Sequence, residues 1–147
     1  MLVLLLVQTV LAANTSPEQV HLALAGQDAK GISNGMNVAW YSQDQTATST
    51  VKYFLGSFEE SATGTAVQYL TGNGYHHSVD LLGLKSDTEY FYQVGDESGG
   101  FSTKFSFKTA PASNAASFGV NIFGDMGYLD SKVRPMIIKA DGLVKDW

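Results

Sequence analysis

Cysteine is absent from this 147-residue chain, so no disulfide framework, thiolate nucleophile or cysteine metal cluster can form. Cations are few: nine Lys and Arg stand against 14 Asp and Glu, for a formal net charge of -5. They are scattered singly, without the basic patch that neutralises phosphates along a duplex, which argues against nucleic acid as a partner. No stretch beyond the first residues is apolar enough to anchor the protein in a membrane. No window sustains a helical period, so a helical fold is not expected either.

What is present is a globular composition, 44% apolar and 12% aromatic. That is enough chain for one domain with a sizeable core, and too little for two ordinary domains. Met1 to Ala13 opens on an apolar run too short to span a bilayer. Val10 and Ala12 have the small-residue spacing of a signal-peptidase site, so residues 1–13 read as a signal peptide cut after Ala12 or Ala13. No Lys or Arg precedes the run, which leaves a buried N-terminal strand or a misplaced start as the other readings. With the signal, the protein is expected to be secreted, or delivered to a vacuole or lysosome. Asn14-Thr15-Ser16 is the only N-glycosylation sequon, and Pro17 directly after it works against modification of Asn14.

From Gln19 to Lys108 short runs rich in Val, Tyr, Phe and Thr alternate with Gly, Asn, Ser and Asp. Such alternation marks strands and turns. Seven strands are expected: Val20–Ala25, Met36–Tyr41, Thr50–Leu55, Ala66–Leu70, His76–Leu82, Tyr90–Val94 and Lys104–Lys108. The first should hold Val20, Leu22 and Leu24 on one face. Seven short strands predict an all-β, two-sheet sandwich. Trp40 lies where a large ring fills the space between sheets. Leu84-Lys85-Ser86-Asp87-Thr88-Glu89-Tyr90 resembles the corner of fibronectin type III domains, in which a buried Tyr hydroxyl satisfies an upstream backbone group. A fibronectin type III-like sandwich over residues 17–109 is the expected fold.

Composition changes after Lys108. Residues 110–116 are small, polar and Pro-containing, as in an interdomain linker. A new strand, Ser117 to Phe123, then ends in Gly124-Asp125-Met126-Gly127. One strand and twenty further residues do not make a domain, so residues 117–147 read as the start of a truncated one. A carboxylate at the carboxyl end of an apolar strand sits where open α/β sheets bind ligands, and flanking glycines leave room for a hard cation that wants oxygen donors. Taken alone, Gly-Asp-x-Gly reads as a turn.

The order of segments reverses that. Pro17 to Leu24, Leu81 to Asp96, Phe105 to Thr109 and Phe123 to Gly127 together resemble the N-terminal portion of purple acid phosphatases, from about Pro17 to Gly127. That resemblance implies a fibronectin-like sandwich followed by a metallophosphoesterase domain that hydrolyses phosphate monoesters at acid pH. The implied centre is dinuclear, Fe(III) with Zn, Mn or Fe(II). Asp125 matches the first of five ligand motifs, whose aspartate binds the ferric ion. Gly124 to Tyr128 also fits the second pattern, Gly-Asp-x-x-Tyr, but its place directly after the linker favours the first, and Tyr128 stays outside the site. The Gly-Asn-His motif and two later His motifs are missing, so this chain is expected to hold no metal itself and to be inactive, with no catalytic residue assigned within it. The substrate implied for the whole protein is a small phosphate ester. Two alternatives remain: a fibronectin-like binding or adhesion module without catalysis, and a metallophosphoesterase acting on phosphodiesters, nucleotides or phytate.

The histidines are weaker candidates. His76 and His77 are adjacent and in a strand point to opposite faces, so they share a metal poorly. His21 alternates with apolar residues and should face solvent. Gly72-Asn73-Gly74 has no following helix, so it is a turn and not a phosphate loop.

Overall fold

The computed structural model describes residues 13–31, 33–112, 114 and 117. Alternation of apolar and polar side chains does make strands here. In chain order they are β1 (Glu18–Ala25), β2 (Gly35–Ser42), β3 (Thr50–Leu55), β4 (Phe58–Thr63), β5 (Thr65–Val67), β6 (Tyr75–Leu81), β7 (Glu89–Asp96), β8 (Gly100–Phe101) and β9 (Phe105–Lys108). One antiparallel sheet has the order β1-β2-β6-β5. The other has the order β4-β3-β7-β8, with β9 also paired to β7. The described residues form an all-β sandwich.

The core lies between the sheets because period-two patterning places every second side chain inward. Met36, Val38 and Trp40 come from β2, Val79 and Leu81 from β6, Val51 and Tyr53 from β3, Tyr90, Tyr92 and Val94 from β7, and Phe107 from β9. On β1, Val20 and Leu22 pack against this cluster, but Leu24 is 66% exposed. The expected three-residue face of β1 is therefore covered over only part of its length, as befits an edge strand that is also bulged between Glu18 and His21.

Nine strands, not seven, are seen among the described residues. The two additions are β4 and the two-residue β8. β4 reads Phe-Glu-Glu-Ser-Ala-Thr and is mostly exposed, so its side chains carry little hydrophobic signal. What makes it a strand is its backbone pairing with β3, with Leu55 opposite Phe58, across a two-residue turn. Gly56 takes the first central position of that turn at φ 62°, as the tight hairpin requires. The expected strand Ala66–Leu70 keeps only the short β5, and Tyr69 and Leu70 lie exposed beyond it. Gly64 joins β4 to β5 where the chain changes sheets. A Cβ there would sit 1.9 Å from the Ser78 carbonyl oxygen, so no side chain fits.

The corner before β7 is built as its sequence implies. Tyr90 is buried, and its hydroxyl oxygen accepts a hydrogen bond from the Lys85 N–H at 3.1 Å. Its ring stacks on Phe107, with centroids 5.8 Å apart. Trp40 lies flat against His77, 4.8 Å between centroids and 5° between planes.

Candidate functional site

The sequence places its chemistry at Asp125, which lies outside the described residues, as do residues 1–12 of the proposed signal. What the described residues fix is the path toward Asp125. After β9, Thr109 Oγ donates to the Lys85 carbonyl at 2.6 Å and accepts from the Thr88 N–H at 2.9 Å. The Thr109 N–H donates to the Thr88 carbonyl, and the Ala110 carbonyl accepts from the Asp87 N–H, at 3.0 and 2.9 Å. The tyrosine corner thus holds the backbone at Thr109 and Ala110 as it leaves the sandwich.

Of the other residues weighed, Asn14 is exposed. Its N–H donates to Asp44 Oδ2 at 2.7 Å, and its carbonyl accepts from the Asp44 N–H at 3.0 Å. His76 and His77 split across β6: His76 is exposed and His77 is 1% exposed. His21 is exposed on β1. Among the described residues, no group of three or more His, Asp or Glu side chains could hold a metal ion.

A buried polar cluster at one end of the sandwich was not legible in the sequence. His77 Nε2 lies 2.8 Å from Ser42 Oγ and Nδ1 lies 2.9 Å from Ser49 Oγ. The Ser42 hydroxyl gives its one proton to the Asp44 carbonyl at 2.8 Å, so it can only accept from His77. That fixes the proton on Nε2, and Ser49 then donates to Nδ1. Both ring nitrogens of a neutral imidazole are satisfied. A Ser–His pair suggests nucleophilic catalysis, but here the serine proton points away from the imidazole, and Ser42 and His77 are closed to solvent. The arrangement cannot activate Ser42.

Asp96 sits nearby, 1% exposed. Burial pushes its carboxyl pKa up, but hydrogen bonds from Gly99 N, Ser98 Oγ, Ala47 N and Thr48 N outweigh this and hold it below the usual carboxylate value. The carboxylate ties the β2–β3 loop to the turn after β7. A Cβ at Gly99 would come within 2.1 Å of Thr15 Oγ, so glycine there admits the N-terminal segment. The run Asp96-Glu97-Ser98-Gly99 does carry a turn signal, since a short carboxylate followed by Ser and Gly caps its own backbone. Burial of His77 carries none.

Burial, and to a lesser degree the neighbouring His76, lower the His77 pKa, against a smaller opposing pull from Asp96. The unfolded chain, with its ordinary value near 6.5, therefore binds a proton more readily than the fold. Stability from this group is complete above that value and declines as pH falls from 6.5 toward the lower folded value. The melting temperature is expected to fall through this window, and His77→Gln should flatten the slope. An equally steep pH dependence in the variant would place the titrating group elsewhere. Asp96 acts in a separate window: its contribution is present above its ordinary value of 3.8 and is lost only below that.

A family model described as the purple acid phosphatase N-terminal domain matches residues 17–109. Purple acid phosphatase 21 of Arabidopsis thaliana is 32% identical over 125 residues, covering 82% of this chain and 26% of that protein. Fe(3+)-Zn(2+) purple acid phosphatase 12 of the same plant is 29% identical over 118 residues, covering 76% of this chain and 24% of its own length. Among solved structures, a purple acid phosphatase from yellow lupin seeds superimposes with a TM-score of 0.57 at 18% identity, over 71% of this chain and 21% of that one. This likeness is one of fold. The chain spans about a quarter of the length of the curated relatives it matches.

Proposed function

The chain belongs to the purple acid phosphatase family, and we propose that it is the N-terminal portion of a secreted enzyme that hydrolyses phosphate monoesters at a dinuclear metal centre. The observation that carries this reading is the family match over residues 17–109, followed directly by a linker and Gly124-Asp125-Met126-Gly127. On this reading residues 1–13 are the signal peptide, 110–116 the linker, and 117–147 the opening of the metallophosphoesterase domain. Fe(III) with Zn, as in the name of one relative, or with Mn or Fe(II), would be held by that domain, with Asp125 as one ligand. The ions supply Lewis acidity and charge neutralisation at phosphorus. The sandwich supplies no ligand. Its part is to hold the exit at Thr109 and Ala110 so that the next domain starts from a defined point.

The test compares two products of one gene. The 147-residue chain should retain iron far below one ion per molecule and leave an aryl phosphate intact, since one aspartate and water do not meet the coordination either ion needs. A longer product carrying Gly-Asp-x-x-Tyr and then Gly-Asn-His-Glu or Gly-Asn-His-Asp after Trp147 should retain both ions and hydrolyse the aryl phosphate. Stoichiometric iron in the short chain would place the centre elsewhere. A longer product without those motifs would favour the non-catalytic binding module.

A further inference from the structure

The outer face of the β1-β2-β6-β5 sheet carries a hollow that neither the fold nor the proposed phosphatase uses. Its floor is Ala39, which lies opposite His21 on β1 and Ser78 on β6. One row along, Tyr41 stands opposite His76, which in turn stands opposite Val67. The single methyl of Ala39 between these larger neighbours leaves a groove of about 300 Å³. Tyr41 and Tyr69 both meet the His76 ring edge-on, at 5.5 Å and 63° and at 4.9 Å and 61°. Gly74 packs against the Tyr41 ring, which is half-buried, so the ring left open to a ligand is that of Tyr69. Tyr69 is 76% exposed and Val67 51%; such apolar area at a groove wall marks a binding surface more than a packing one.

The polar groups define the ligand. No Lys, Arg, Asp or Glu lines the groove, which disfavours a phosphate, a carboxylate or a cationic side chain as occupant. The lining offers donors and acceptors of other kinds: the Gln19 amide, the imidazoles of His21 and His76, and the hydroxyls of Thr65 and Ser78. Ser78 Oγ already accepts from Asn37 Nδ2 at 2.8 Å, so its proton is left to donate outward. Flat aromatic walls beside neutral hydroxyl and amide groups suit a ring that has an apolar face and a rim of hydroxyls. That ring is a pyranose. A second copy of this chain is the poorer fit, because a two-fold contact sets the same concave face against itself. We propose that this groove binds a neutral hexopyranose, stacked on Tyr69 with its hydroxyls toward Gln19, Thr65 and Ser78.

The test titrates the 147-residue chain with methyl α-mannopyranoside, N-acetylglucosamine and cellohexaose, reading the ring-proton NMR signals of Tyr41, Tyr69 and His76. Saturable shifts in the millimolar range are expected for at least one sugar, as for a single shallow ring contact. Tyr69→Ala should weaken binding about tenfold with an unchanged melting temperature, since this ring lies outside the core. Phe91→Ala, on the outside of the other sheet, should bind as the parent does. Absence of shifts with all three sugars overturns the proposal. So do ring signals that move with protein concentration alone, which would mean a second copy fills the groove, and so does a Tyr69→Ala variant that binds as tightly as its parent.

Discussion

Replacing Trp40 by alanine is expected to destabilise the sandwich by about 3–5 kcal/mol, the range for deleting a large buried aromatic. The ring is 2% exposed and covers His77 face to face. Its removal leaves a void between the sheets and uncovers the imidazole that joins Ser42 to Ser49. Trp40 Nε1 has no hydrogen-bond partner among the described residues, so no hydrogen bond seen there is lost with the ring. The whole effect is packing and desolvation, and Trp40→Phe should recover most of it without a polar replacement. Denaturant unfolding of the parent and the two variants measures this. An alanine variant with the parent's midpoint would mean that the ring is not the keystone between β2 and β6 that its contacts indicate.

How much of this was legible in the sequence depends on what side chains have to do. The inward positions of β2 and β7 were readable because burial of every second residue is the reason those strands hold a sheet together. The Tyr90 corner was readable because its hydroxyl, the turn and the preceding apolar residue occur at fixed offsets. β4 was not, since an edge strand that turns only Ala62 toward the core is specified by backbone pairing, which any polar sequence without proline can provide. The same holds for Leu24, which follows the strand period yet lies 66% exposed: alternation tells which face a residue takes, not whether a second layer covers it. His77 shows the converse. Adjacent histidines implied opposite faces, as found, but burial of one of them rests on Ser42 and Ser49, two hydroxyls from other strands and loops that no local pattern links. Asp125, the residue assigned most chemistry, lies outside the described residues, and its role stands on sequence order alone.

The largest effect on function is expected at that residue. In the complete protein, Asp125→Asn should lower kcat/KM for an aryl phosphate by more than about a hundredfold and weaken metal retention. Loss of a direct ligand should exceed the tenfold to hundredfold change common for groups that merely orient one. On the proposed reading, the substitution keeps size and one oxygen donor but removes a negative charge from beside the more highly charged ion. A neutral amide oxygen offsets less of that ion's charge than a carboxylate does. Unfolding of the sandwich should be unaffected, because the matched domain ends at residue 109 and its exit is held by Lys85, Asp87 and Thr88 through Thr109 and Ala110. The two readouts separate the roles of the two segments: Trp40→Ala acts on stability and Asp125→Asn on metal content and turnover. Metal content by atomic emission, rates at acid pH and thermal unfolding of the same preparation provide all three numbers. An Asp125→Asn enzyme with full metal and full turnover would reduce Gly124-Asp125-Met126-Gly127 to the turn that its four residues, taken alone, describe.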